Sequence, residues 1–175
     1  HRQGAVFEHL AHLVVPAQFL AVHPDMFAHQ ERIIAHLLAR LNLEAEQQER
    51  SFDDIRAAAR RSWNDDLGRI RVEGGTDAQK KVFYTGLYHA LIHPNVLSDV
   101  NGEYPAMESA EIRTAEGNRY TVFSLWDTYR NLHQLMTLVY PERQLEMVRS
   151  MIGMYKEWGW LPKWELYGRE TFTME

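Results

Sequence analysis

Thr76-Asp77-Ala78-Gln79-Lys80-Lys81-Val82-Phe83-Tyr84-Thr85-Gly86-Leu87-Tyr88 opens on a capping box and continues with apolar residues at helical spacing. In such a box the Thr hydroxyl accepts the amide three residues on, while the Gln side chain accepts the amide of the cap itself. Val82, Phe83, Leu87, Tyr88 and Leu91 then form an expected inward stripe, and Pro94 closes the element. The same grammar stands just upstream. Ser51-Phe52-Asp53-Asp54 caps a second helix and places acids at the positive end of its dipole. Its expected stripe is Ile55, Ala58, Ala59, Ser62-Trp63 and Leu67, stopping at Gly68. Farther upstream, Ile33, Ile34, Leu37, Leu38 and Leu41 predict an amphipathic helix from Met26 to about Gln48.

Downstream the period changes. Asn101-Gly102 reads as a tight turn, and Ile112 to Phe123 as two extended arms around Glu116-Gly117-Asn118. Helix resumes at Ser124-x-x-Asp127, with Tyr129, Leu132, Leu135, Met136 and Val139 on one side. Pro141 suits the first position of a further helix, with Leu145, Val148, Ile152 and Tyr155 inward and Gly159 at its end. Residues 160–175 show no clear period. The expected class is mainly α: about five helices in antiparallel pairs, with a short irregular or β-hairpin excursion around 96–123. Such pairs make either a bundle or part of a ring of hairpins.

Composition narrows the function. The 175 residues carry 19 Lys+Arg against 24 Asp+Glu, a net charge of −5, with no basic stripe to neutralise a phosphate backbone. That argues against nucleic acid as a partner. Cysteine is absent, which removes disulfides, thiolate metal sites and thiol catalysis. No run of about 18 apolar residues offers a membrane span. Gly-x-Gly-x-x-Gly, Walker and Gly-x-Ser-x-Gly patterns are missing as well. His89 and His93 stand four apart, and His9 and His12 three apart, without a clear third ligand. We read them as surface or satisfied core histidines rather than a metal site. Residues 1–33 hold five of the nine histidines and remain unplaced, and both ends of the chain read as cuts.

Aromatic residues carry the sharper signal. Four of the five tryptophans, Trp126, Trp158, Trp160 and Trp164, lie in the last part of the chain. Phe123-Ser124-Leu125-Trp126-Asp127-Thr128-Tyr129-Arg130 sets a carboxylate beside an indole, with Arg130 three residues on. That trio suits a sugar, whose C–H face packs on an indole while its hydroxyls bond a charged group. A bland alternative stands equally: Asp127 completing a cap begun by Ser124, and Trp126 in a core. Trp158-Gly159-Trp160-Leu161-Pro162-Lys163-Trp164-Glu165 alternates indoles with charges in a loop, and here we favour a ligand surface over a core plug. A carboxylate pair for glycoside hydrolysis has Asp127, Glu165 and Glu170 as candidates.

Several motifs in order then resemble glycoside hydrolase family 92, a family of exo-acting α-mannosidases. They are Asn42-Leu43-Glu44-Ala45-Glu46, Phe83-Tyr84-Thr85-Gly86-Leu87-Tyr88, His93-Pro94-Asn95, Ser98 to Tyr104, Phe123 to Arg130, Pro141-Glu142-Arg143 and Gly159-Trp160-Leu161-Pro162-Lys163-Trp164. The resemblance runs from about residue 40 to 175. It implies that 34–175 is the N-terminal portion of an (α/α)6 toroid acting on mannose-containing glycans, often α-1,2-linked, by calcium-assisted inversion. It also implies secretion or a periplasmic location. Trp126, Asp127 and Trp164 match residues of the terminal-mannose subsite. Gly168-Arg169-Glu170-Thr171 departs from the family's Gly-Asn-Glu-Thr, which leaves the roles of Arg169 and Glu170 open, and Gln134 replaces a common Pro. The family's general acid, general base and calcium ligands are expected beyond Glu175, so the remainder of the catalytic domain is an implied partner. A non-catalytic carbohydrate-binding module and a purely structural helical module are the alternatives.

Overall fold

A computed structural model describes residues 39–171, in two compact units that divide after Glu46. In the first unit residues 39–46 are helical, with Arg40 paired to Glu44 one turn on at 2.8 Å. The expected stripe from Ile33 to Leu38 and the histidines of residues 1–33 lie outside the described residues.

The second unit begins with two capped helices, α1 (Phe52–Leu67) and α2 (Asp77–Ala90). Both capping boxes form. The Asp54 amide donates to Ser51 Oγ at 3.2 Å and the Ser51 amide to Asp54 Oδ2 at 3.3 Å. The Ser51 hydroxyl beside the Asp54 carboxyl holds it below the usual carboxylate range. In α2 the Gln79 amide donates to Thr76 Oγ1 at 3.2 Å and the Thr76 amide to Gln79 Oε1 at 2.8 Å. Trp63 packs on Tyr88 with ring centres 4.6 Å apart, joining the C-terminal halves of the two helices. The expected stripes are only partly buried. No α1 residue is buried, and in α2 only Leu87 is, with Val82, Phe83 and Tyr88 exposed.

The excursion contains four short strands, β1 (Asn95–Val96), β2 (Glu103–Pro105), β3 (Ile112–Thr114) and β4 (Tyr120–Thr121). The expected hairpin around Glu116-Gly117-Asn118 is replaced by two nested pairs. β3 pairs back onto β2 and β4 onto β1, both antiparallel. Each arm therefore finds its partner upstream, and the 116–118 turn is instead tied to a later helix through Asn118 Nδ2, 3.1 Å from Glu146 Oε2.

Next come β5 (Phe123–Ser124), α3 (Leu125–Thr128), α4 (Leu132–Val139), α5 (Pro141–Trp158), β6 (Trp164–Leu166) and β7 (Arg169–Glu170). The tail expected to be irregular is thus a hairpin. Its two-residue turn, Tyr167-Gly168, has φ of 53° and 81°, the left-handed pair that matches strand twist. In α5 the inner face also differs from expectation: Met147, Ser150 and Met154 are buried, while Leu145, Ile152 and Tyr155 are exposed. The helix is apolar on two sides, and the Met side meets Met107, Tyr120 and Phe123 in the core.

Buried polar groups fix this core. Arg119 and Glu157, 4% and 3% exposed, pair at 2.8 Å. Glu157 also accepts the Tyr104 hydroxyl at 2.9 Å and the Met107 amide at 2.8 Å, so its charge is well met. Among the described residues Arg119 Nε has no hydrogen-bond partner, and the guanidinium lies 4.6 Å from the Tyr104 ring centre. Gly153 makes this fit possible, since a Cβ there would stand 2.3 Å from Arg119 Nη1. Tyr140, fully buried, ties α1 to the α4–α5 turn: its hydroxyl donates to the Asp66 carbonyl at 2.9 Å, and Arg143 pairs with Asp66 at 2.6 Å. Among the described residues no helix is long and apolar enough to cross a membrane.

Candidate substrate-binding site

The chain must change sheets between Thr121, which pairs with Asn95, and Phe123, which pairs with Glu165. Val122 makes the switch at φ 65°, a conformation that costs a β-branched residue on the order of 1–3 kcal/mol. Glu165, fully buried, holds it there. Its carboxylate accepts Thr121 Oγ1 at 2.7 Å, the Val122 amide at 3.0 Å and the Gly168 amide at 2.6 Å. One carboxyl group thereby rivets β4, β5 and the β6–β7 turn, where Gly168 at φ 81° suits glycine and a Cβ would crowd the Pro105 carbonyl at 3.2 Å.

This rivet sets β5 against β6 in a register that opposes Ser124 to Trp164, and the Leu125 amide bonds the Lys163 carbonyl at 3.0 Å. Trp126 follows in the α3 turn. Trp126 and Trp164 meet edge to face, with ring centres 6.3 Å apart and planes at 69°. Both stay open to solvent, 48% and 37% exposed. Ser124 forms no helix cap; its hydroxyl instead donates to Asp127 Oδ2. The capping-box alternative does not form: the Ser124 side chain accepts no helix amide, and Ser124 pairs with Trp164 across the β5–β6 ladder. Ser124 therefore links the carboxylate to the strand that carries Trp164.

Arg130 does not join this group. Its guanidinium lies 5.9 Å from the Tyr129 ring centre. Glu165 is sealed as described. Glu170 accepts the Trp164 amide at 2.7 Å and the Lys163 amide at 2.9 Å. Neither is therefore a free partner for a carboxylate pair; of the three candidates Asp127 is the exposed one, and among the described residues its carboxylate takes a hydrogen bond from Ser124 alone. Arg169 is exposed at the β7 edge. His133 bridges α3 to α5 through Thr128 Oγ1 at 3.0 Å and Gln144 Oε1 at 3.2 Å, and Gln134 reaches the Tyr129 carbonyl at 3.0 Å.

Two grooves, of about 360 and 440 Å³, lie elsewhere: one beside Ile92, Asn95 and Arg143, the other beside Tyr104, Gly153 and Lys156. His93 Nδ1 is 3.2 Å from Asn95 Oδ1. Among the described residues no three His, Cys, Asp or Glu side chains stand together as a metal site.

Sequence reasoning missed Glu165 and Val122 as the groups that position the corner, and Arg119–Glu157 and Tyr140 as the groups that fix the core. Two signals pointed toward them: a glycine in mid-helix at 153, which marks close approach, and Tyr167-Gly168, a turn dipeptide between polar and aromatic residues.

The glycosyl hydrolase family 92 catalytic domain matches residues 38–175, and the chain belongs to that family. The structure is similar to that of the family GH92 alpha-mannosidase BT3965 from Bacteroides thetaiotaomicron, with a TM-score of 0.73 and 37% identity, covering 78% of this chain and 18% of that one. That mannosidase has also been solved in complex with mannoimidazole, a structure 36% identical with the same TM-score and coverage. The inverting mannosidase BT2199 from Bacteroides thetaiotaomicron VPI-5482 gives a TM-score of 0.72 and 33% identity, with 78% and 19% covered. The chain thus spans less than a fifth of the length of these enzymes. No curated protein matches it.

Proposed function

We propose that this chain works as part of an exo-acting α-mannosidase catalytic domain of the α-1,2 type, built as an (α/α)6 toroid. Its contribution is one side of the terminal-mannose subsite. The observation that carries this reading is the edge-to-face pair Trp126 and Trp164 with Asp127 held beside it by Ser124. Two indoles near a right angle present apolar walls to a pyranose C–H face. The exposed carboxylate of Asp127 accepts a sugar hydroxyl, a charge-assisted bond that fixes the ring against the walls. The exposed Leu145, Ile152 and Tyr155 stripe on α5 fits packing against further helices of such a ring.

Inversion needs two carboxyl groups roughly 6.5–9.5 Å apart, one as acid and one as base. With Glu165 and Glu170 both engaged by backbone amides, these residues bind and orient, and the proton transfers belong to groups outside residues 39–171. Calcium enters the proposal on the same footing. It takes six to eight oxygen ligands, and the described residues offer no acidic cluster to supply them. No step here passes through it.

The test is Asp127→Ala in the intact enzyme. Loss of a charged hydrogen bond of about 2 kcal/mol predicts a fall of about thirtyfold in kcat/KM on an α-mannoside, with the fold retained. Unchanged turnover contradicts the assignment.

A further inference from the structure

The carboxylate of Glu170 grips two consecutive amides at the point where the β6 strand begins. Oε1 accepts the Trp164 N–H at 2.7 Å and Oε2 the Lys163 N–H at 2.9 Å. Two bonds to neighbouring peptide planes fix the direction in which the Cα–Cβ bond of Trp164 leaves the chain. The Trp164 carbonyl is held as well, by Thr171 Oγ1 at 2.6 Å and the Thr171 amide at 3.1 Å. Glu170 is itself anchored: its amide donates to Glu108 Oε1 at 2.6 Å, and it pairs with Glu165 across the β6–β7 ladder. Glu108 in turn sits at φ 52°, its own amide bonded to the Gly168 carbonyl at 2.8 Å. On the far side of the strand the Lys163 carbonyl takes the Leu125 amide at 3.0 Å, immediately before Trp126. The backbone carrying one indole is thus clamped by a carboxylate on one side and by the segment carrying the other indole on the opposite side.

We propose that Glu170 is a positioning residue that sets the angle between Trp164 and Trp126, and through that angle the fit of the sugar. The sugar part rests on the subsite reading above; the indole geometry does not. Glu170 reaches no reacting atom in this role. A neutral amide is a poor substitute, because Gln keeps one acceptor oxygen and turns an NH2 group toward the second backbone N–H.

The experiment uses the intact enzyme with Glu170→Gln and Glu170→Ala, read by circular dichroism and by kinetics on an α-mannoside. Indoles at this separation and tilt couple their transitions into a far-ultraviolet couplet, assigned by its loss in Trp126→Phe and in Trp164→Phe. The expected result is a collapsed couplet in both Glu170 variants and a KM raised about five- to tenfold, with kcat changed less than KM. If Glu170→Ala does not fold, Glu170→Gln carries the test. A couplet and KM at parent values in the Glu170 variant overturn the proposal. A raised KM in Trp164→Phe but not in the Glu170 variant also overturns it while leaving the subsite reading intact. A KM unchanged in Trp164→Phe itself overturns the subsite reading, and with it the sugar-fitting role of Glu170.

Discussion

The α1–α2 pair and the body formed by α5 with the strands use similar apolar patterning, yet they bury very different amounts of it. The pair is held by Trp63 on Tyr88 and by the Tyr84 hydroxyl on the Ile70 carbonyl at 3.0 Å, and Leu87 is its one buried side chain. The α5 body buries Met147, Met154, Phe123 and Tyr120 together. The difference lies in the polar groups. Glu157, Glu165 and Ser150 each reach from one element to the backbone of another, so the strands are pinned where apolar side chains can close over them. A hydrophobic stripe alone does not choose its partner; buried hydrogen bonds with fixed geometry do.

The largest expected break in that contrast is Glu165→Ala. It strands the Thr121 hydroxyl and two amides in a sealed site and releases the strained Val122. A loss of about 3–5 kcal/mol is expected in urea unfolding of the intact protein, against almost none for Val82→Ala on the exposed face of α2. Equal losses at the two sites would erase the distinction. Gly153→Ala comes next. The helical preference for Ala is worth about 1 kcal/mol, but the new Cβ presses on Arg119, so a net loss of about 1–2 kcal/mol is expected in the same measurement. Tyr140→Phe removes one buried hydrogen bond between α1 and the α4–α5 turn, expected at about 1 kcal/mol, and hydrogen exchange should quicken in α1 more than in α5.

The smallest effect is one of pH. Burial pushes the hydroxyls of Tyr104, Tyr120 and Tyr140 above their ordinary value near 10, and for Tyr104 the bond to Glu157 adds to it. The folded state favours the neutral phenol, so this stability is complete below about pH 10 and declines as pH rises past it. An unfolding midpoint that falls on alkaline titration, and falls less in Tyr140→Phe, is the expected outcome. A flat alkaline profile counts against burial of these phenols.

What the sequence revealed follows the range of the interactions. Ser51, Thr76, Pro141 and Gly159 act within one turn of a helix, and their placement was legible. The arms at 112–123 read as extended from sequence, but their partners are β1 and β2 rather than each other, because that pairing depends on contacts the local turn chemistry does not encode. In α5 two apolar stripes compete, and only the core opposite decides between them. The juxtaposition of Trp126 with Trp164 is implied by the family resemblance and not by the local pattern of either segment. Its cause, the Glu165 rivet at the sheet switch, involves residues 44 apart, and the Tyr167-Gly168 dipeptide marks only the turn beside it, not the partners across the chain.

The central claim is that two indoles and one carboxylate from separate segments make a single hexose slot. Titrating the intact enzyme with mannose while following tryptophan fluorescence tests it most directly. The account predicts a saturable change that is lost in Trp164→Phe and weakened about tenfold or more in Asp127→Ala. A titration identical in parent and variants would contradict it.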